Sequence, residues 1–164
     1  MKKDKFIDKT LLLEAGVEYD LEITKIIIIP DDQDYYVGKD ENGLHHLIPA
    51  RFYSSYDLKT GDTIRCRLDK INCQGRFYFE PEHPVYKKGI YYHFEIVGFL
   101  PDENDQNNGY CTALVKDVFG KNLKTEKFNM NPDAPKNLST LICYVDEIKK
   151  AKPVLRVTDP HFVV

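Results

Sequence analysis

The sequence predicts an all-β protein made of two tandem small five-stranded Greek-key barrels, and three observations carry that expectation. A segment recurs: Thr63-Ile-Arg-Cys-Arg-Leu-Asp-Lys-Ile71 aligns without a gap on Thr140-Leu-Ile-Cys-Tyr-Val-Asp-Glu-Ile148, with Thr, Cys, Asp and Ile in step 77 positions apart. Upstream, Gly16-Val-Glu-Tyr-Asp-Leu-Glu-Ile23 matches Gly89-Ile-Tyr-Tyr-His-Phe-Glu-Ile96 at an offset of 73. Order kept while the offset drifts means one fold with loops of different length. Third, short runs of alternating apolar and polar residues are separated by turn signals, the pattern of half-buried strands. The expected boundaries are an N-terminal extension over 1–14, a first barrel over 15–82, a stiff proline-bearing linker over 83–88 and a second barrel over 89–164.

The first unit reads in order as follows. Val17, Tyr19, Leu21 and Ile23 alternate against Glu18, Asp20, Glu22 and Thr24, giving a strand with one buried face. It runs into Ile26-Ile-Ile-Ile29, expected to curl across the core, and turns at Pro30-Asp-Asp-Gln-Asp34. Tyr35 to Lys39 is a short strand, and Glu41-Asn42-Gly43 a hairpin turn of the Asn-Gly kind. Leu44 to Ile48 returns, Pro49 to Leu58 is irregular or one helical turn, and Thr60-Gly61-Asp62 turns again. The fourth strand buries Ile64, Cys66 and Leu68, and the fifth sets Phe77 and Phe79 against Arg76, Tyr78 and Glu80.

The second unit retraces this path. Ile90, Tyr92, Phe94 and Ile96 form the inward face of its first strand, and a polar loop over 101–109 replaces the shorter turn. Strands over Tyr110–Lys116 and Lys121–Phe128 follow, then a proline-bearing loop, then strands burying Leu141, Cys143 and Val145, and Leu155 and Val157.

At 42% hydrophobic and 30% charged residues, the composition is that of an ordinary globular chain. Units of about 75 residues sit near the lower limit of independent stability, so the two are expected to lean on each other. No apolar run approaches the ~18 residues that span a bilayer, and Leu11-Leu-Leu13 is too short for a signal core, so cytoplasmic residence is expected. The four cysteines show no CxxC pairing and read as buried free thiols. No metal and no cofactor is expected: His45 and His46, adjacent on a strand, point to opposite faces and cannot chelate together. His83 and His161 follow the fifth strand of their units and read as related caps. No nucleophile elbow, phosphate loop, zinc-protease helix or dinucleotide fingerprint occurs, so an enzyme is the least expected class.

Five strands with an interruption between the third and fourth match the OB fold, with a small SH3-like barrel as the alternative. Four stretches carry a closer likeness: Tyr35-Tyr36-Val37, Gly43-Leu44-His45-His46-Leu47, Thr60-Gly61-Asp62-Thr63-Ile64 and Gly75-Arg76-Phe77-Tyr78-Phe79. In these the first unit, from about residue 16 to residue 80, resembles the S-one type of RNA-binding domain named after a ribosomal protein. The resemblance implies that Tyr36 stacks on a base, that His46 contacts RNA and that Tyr35 is a second platform. In the second unit Gly120-Lys121-Asn122 lacks the histidine, so the resemblance assigns it no binding residues.

Single strands are gripped by aromatic faces and by cations that follow phosphates. The first unit offers Tyr35, Tyr36, His46 and Tyr78 beside Lys39, Arg51, Arg65, Arg67 and Arg76. Against this, residues 1–84 hold 12 basic and 16 acidic side chains, residues 85–164 hold 11 and 10, and the chain carries −3. Binding to RNA or single-stranded DNA is therefore expected to be weak and salt-sensitive. The rival reading is a protein-interaction module. Ile142 and Tyr144 stand where the first unit has Arg65 and Arg67, and such an apolar outer face wants a partner, either the first unit or another protein.

Overall fold

The computed structural model describes residues 13–30, 32–104 and 109–164. The N-terminal extension lies outside the described residues up to residue 12, as do Asp31 and residues 105–108 of the long acidic loop. The chain divides into two compact units between Glu82 and His83, and each is an antiparallel sheet.

The first unit contains β1 (Glu18–Ile27), β2 (Tyr35–Lys39), β3 (His45–Pro49), the single turn α1 (Ala50–Tyr53), β4 (Thr63–Ile71) and β5 (Phe77–Pro81), in the sheet order β3-β2-β1-β4-β5. The outer strands β3 and β5 come against each other, so the sheet curls around Leu21, Ile23, Ile48, Cys66, Leu68 and Phe79. Burying each leucine, isoleucine or phenylalanine of this set contributes about 1.5–3 kcal/mol, which is why the period-two pattern fixes the face of each strand. Gly38 makes the closest packing of β1 on β2 possible, since a Cβ there would stand 3.1 Å from Leu21 Cδ1. After α1 a 3-10 turn, Ser54–Tyr56, ends at Asp57 with φ 53°, and Tyr53 is buried with its hydroxyl donating to Glu80 at 2.9 Å.

The second unit contains β6 (Tyr91–Pro101), β7 (Tyr110–Lys116), β8 (Asn122–Lys124), β9 (Phe128–Asn129), β10 (Thr140–Lys149) and β11 (Lys152–Val157). Its order is β11-β10-β6-β7-β8, the same path as in the first unit, with β9 added on β7. Phe94, Val115, Leu141, Cys143, Val145 and Leu155 fill its core.

The duplication reaches below the level of strands. β1 and β6 each carry a bulge, at Thr24 and Val97, and β4 and β10 each carry one, at Asp69 and Asp146. Tyr19 Oη accepts the Glu14 amide and Tyr92 Oη accepts the Lys87 amide, at the same offset of five residues. Asp40 Oδ1 accepts the amides of Asn42 and Leu44, and Asp117 Oδ1 those of Phe119 and Lys121. Each of these turns closes on a glycine with positive φ, Gly43 or Gly120, a conformation in which a Cβ would be strained. Even an ion pair on the outer face recurs: Lys39 to Glu22 and Lys116 to Glu95, each at 3.3 Å.

Several expectations are corrected. Ile26, Ile28 and Ile29 do not cross the core but are exposed, because β4 pairs with β1 only as far as Glu22 and the strand then runs past its partner. Val17 and Ile90 are exposed at the strand mouths. The stretch 121–128 is two short strands, divided where Thr125 Oγ1 accepts the Ala113 amide. The segment 83–88 is no free linker: His83 and Tyr86 are buried, and Tyr86, the counterpart of Leu13, packs on Phe94 at 5.2 Å. Cys73 is exposed in the turn after β4, while Cys66, Cys111 and Cys143 are buried. Burial pushes the Cys143 thiol up to about 12, so it stays protonated and inert. Strand register pairs Cys66 with Pro81 and Cys143 with Val157, which makes Asp159, not His161, the counterpart of His83.

Candidate nucleic-acid interface

The residues that the S-one resemblance puts in the site are turned away from solvent. Tyr36 is 7% exposed and lies two residues before Gly38 on the face that packs against Leu21. Burial, and then the Asp57 carboxylate, raises its hydroxyl above the ordinary range. His46 is 6% exposed; its Nε2 donates to Asp40 Oδ2 at 2.9 Å, and its ring sits 4.7 Å from Phe79 and 5.6 Å from Phe77. The sequence held the signal: Leu44, His46 and Ile48 share one strand phase, so His46 belongs with the core residues and needs the buried partner that Asp40 supplies. Tyr35 is also buried, its hydroxyl accepting from Gln33 Nε2 at 3.0 Å. None of the three presents a ring face on which a base could stack.

The predicted cations divide by their partners. Arg65 bonds Glu18 at 3.3 Å and Asp20 at 3.2 Å, which raises its pKa further. Arg67 lies 3.6 Å from Asp69, and Lys39 is held by Glu22. A phosphate would have to displace carboxylates from all three. Arg51 stands apart on α1, exposed and stacked 4.5 Å over Phe52.

Arg76 and Tyr78 do come together, at the hairpin end of β4 and β5. The Arg76 guanidinium lies 5.4 Å from the Tyr78 ring centroid, and Lys70, which sequence reasoning passed over, puts its Nζ 5.1 Å from the same ring. Asn72 Nδ2 donates to the Tyr78 hydroxyl at 3.4 Å, and Asn72 Oδ1 holds the turn by accepting the Gln74 and Arg76 amides. Neither Lys70 nor Arg76 has a carboxylate partner among the described residues. The cluster offers a half-exposed aromatic ring between two available cations.

In the second unit, Ile142 and Tyr144 are half-buried on the outer face. Tyr144 lies 5.0 Å from Tyr91 by ring centroids and 5.1 Å below the Arg156 guanidinium, which Asp146 holds at 2.7 Å. His83 Nδ1 accepts the Val85 and Tyr86 amides at 3.1 and 3.0 Å. Burial lowers its pKa, with the Asp117 carboxylate opposing. Among the described residues no three His, Cys, Asp or Glu side chains converge as a metal-binding set, and no helix is long and apolar enough to cross a membrane.

No protein-family model matches the chain, and no curated protein matches it at a significant level.

Proposed function

We propose that the chain is a non-catalytic, cytoplasmic protein of two tandem OB-like barrels that binds single-stranded RNA or DNA. The observation that carries this reading is the cluster of Lys70, Arg76 and Tyr78, where cations without carboxylate partners among the described residues flank one aromatic ring. The hairpin between the fourth and fifth strands is one of the two loops with which OB barrels hold oligonucleotides. A base stacked on Tyr78 and phosphates on Lys70 and Arg76 supply the two components of single-strand affinity.

Titration of labelled oligo-uridine and oligo-thymidine at low and moderate salt tests it by fluorescence anisotropy. Tyr78→Ala is expected to weaken binding by about 1–3 kcal/mol. Lys70→Ala and Arg76→Ala are each expected to lower the salt slope by about 0.7, while Arg65→Ala, its charge already held, leaves both unchanged. Absence of binding at low salt, or indifference to Tyr78→Ala, overturns the reading. Protein docking has one observation of its own: Ile28 is 75% exposed beside Ile26 and Ile29 at the end of β1. An Ile28→Ser variant that loses a protein partner, in a chain that binds no oligonucleotide, decides for that alternative.

A further inference from the structure

We propose that the second unit carries a base-stacking platform of its own, the row Tyr91–Tyr144–Arg156 across β6, β10 and β11, which takes single-stranded nucleic acid through its bases. The proposal rests on the nucleic-acid reading above and locates it on a surface that the sequence resemblance assigns no binding role.

Register builds the row. Tyr144 pairs with Tyr91 on one side and with Arg156 on the other, so the three side chains stand abreast on the outer face. The next row outward in phase is His93 and Ile142, with the Thr158 amide bonded to the Ile142 carbonyl. Tyr91 is 61% exposed, and His93 and Arg156 are exposed beside it. Along the same face of β11, Lys152, Val154 and Arg156 alternate with buried Pro153, Leu155 and Val157, and Lys152 pairs with Lys149 at the hairpin. Glu147, opposite Val154, holds the Lys149 ammonium at 3.1 Å, which leaves Lys152, exposed and without a carboxylate partner among the described residues, about 13 Å from the aromatic row and four residues along one strand.

The first unit supplies the control. The same six positions there hold Glu18, Arg67 and Glu80, then Asp20, Arg65 and Glu82, four acids and two bases. That unit folds to the same topology, bulges and turns with an ionic face, so the frame does not require aromatics on this face. What the second unit gains is one exposed ring, Tyr91, a half-buried one, Tyr144, and a guanidinium plane fixed by Asp146, with no carboxylate at the six positions themselves and Glu147 in the next row along β10. Rings and an arginine plane, with Lys152 further along the same strand, form the arrangement on which unpaired bases stack while a cation meets the backbone. The same exposed apolar area without a ligand would only invite aggregation.

The test uses the full chain. It contains no tryptophan, so Tyr91→Trp introduces a single reporter. Titration with oligo-thymidine is expected to quench its emission, and an abasic oligonucleotide of equal length and charge is expected not to. Tyr91→Ala and Tyr144→Ala are each expected to weaken binding about tenfold, and Tyr144→Phe, which keeps the ring, to restore most of it. If wild type binds and responds to Tyr78→Ala, but Tyr91→Ala and Tyr144→Ala bind as wild type and the reporter stays unquenched, the platform is refuted and the first-unit site stands. If binding falls with Tyr91 and Tyr144 but not with Tyr78, the platform stands and the first-unit site falls. Equal quenching by the abasic strand also refutes stacking. A wild-type chain that binds no oligonucleotide at low salt overturns both.

Discussion

The two units share their inner faces and differ on one outer face. Core positions, bulges, the Asp-x-x-Gly turn, the tyrosine that accepts a backbone amide and the lysine–glutamate pair all recur. Across β1, β4 and β5 the first unit shows carboxylates holding arginines, while across β6, β10 and β11 the second shows tyrosines, an isoleucine and an arginine. Since both sequences satisfy one frame, the frame's demands can be separated from the surface's freedom. Inward residues are set by packing at crystal-like density, where one methylene is felt. Outward residues are set by what they meet.

The strongest way to break the comparison is to cut the same core position in each unit. Leu21 and Phe94 are equivalent and both essentially unexposed. Leu21→Ala is expected to cost about 2–5 kcal/mol and Phe94→Ala about 3–5 kcal/mol, as transfer and cavity terms add. Amide hydrogen exchange read strand by strand checks this. Loss of protection in β1–β5 with the first substitution and in β6–β11 with the second is the expected result. A change confined to neither set contradicts the shared-frame account.

Next come the paired turn aspartates. Asp117→Ala removes the acceptor of two turn amides and is expected to cost about 1–2 kcal/mol, in the range of a lost cap. Asp40→Ala does that and also strands buried His46 Nε2, so about 3 kcal/mol is expected. Urea denaturation of each variant checks the order. Equal losses would mean that the His46–Asp40 bond contributes nothing beyond the turn.

How far the sequence revealed all this follows the same division. The strands of both units were legible because burial imposes period two, and Cys66, Leu68, Cys143 and Val145 fall inward as expected. The isoleucine run misled because apolar content alone does not say where a partner strand ends. The site was the least legible part. Tyr36 reads as a platform by analogy, yet it shares a strand phase with Gly38, whose missing Cβ marks the face packed on Leu21. Arg65 and Arg67 read as free cations because their carboxylates, Glu18, Asp20 and Asp69, are assigned only by cross-strand register and a bulge. Arg76, in the turn just before β5, and Tyr78 within it are two residues apart in sequence and lie side by side in the structure. The aspartate turns could have been found, since Asp40 and Asp117 stand at the same offset of 77 as Thr63 and Thr140.

A smaller, pH-dependent effect separates His83 from its counterpart Asp159. Both cap the turn that follows the last strand of the repeat: His83 Nδ1 accepts two amides, and Asp159 Oδ1 accepts the His161 amide. Burial holds the folded pKa of His83 below its ordinary value, and a proton on Nδ1 would abolish both bonds. Above about pH 6.5 the imidazole is neutral in both states and its contribution is fully present. As pH falls below that value the unfolded chain takes up the proton first, so stability declines until the folded pKa is passed. His83→Asn keeps an acceptor oxygen without a proton to gain. Thermal midpoints from pH 7.5 to 5.5 should fall less in this variant than in wild type; parallel curves would remove His83 as the titrating group.

The smallest expected difference is also the most exacting test of duplication. Lys39–Glu22 and Lys116–Glu95 join equivalent strands at the same 3.3 Å, and all four side chains are about half exposed. Exposed pairs of this kind gain little Coulomb energy in water and lose side-chain entropy, so each should couple by about 0.2–1 kcal/mol. Double-mutant cycles with alanine at both ends isolate that coupling from the loss of each side chain's own packing. If the frame alone sets the pair, the two coupling energies are equal within error and both fade together at high salt. A larger value in the first unit would show instead that its neighbouring network of Glu18, Asp20 and Arg65 acts on the pair through the shared outer face of β1. That outcome would tie the ion pair to the ionic surface rather than to the fold, and would move it from the part of the repeat that is duplicated to the part that has diverged.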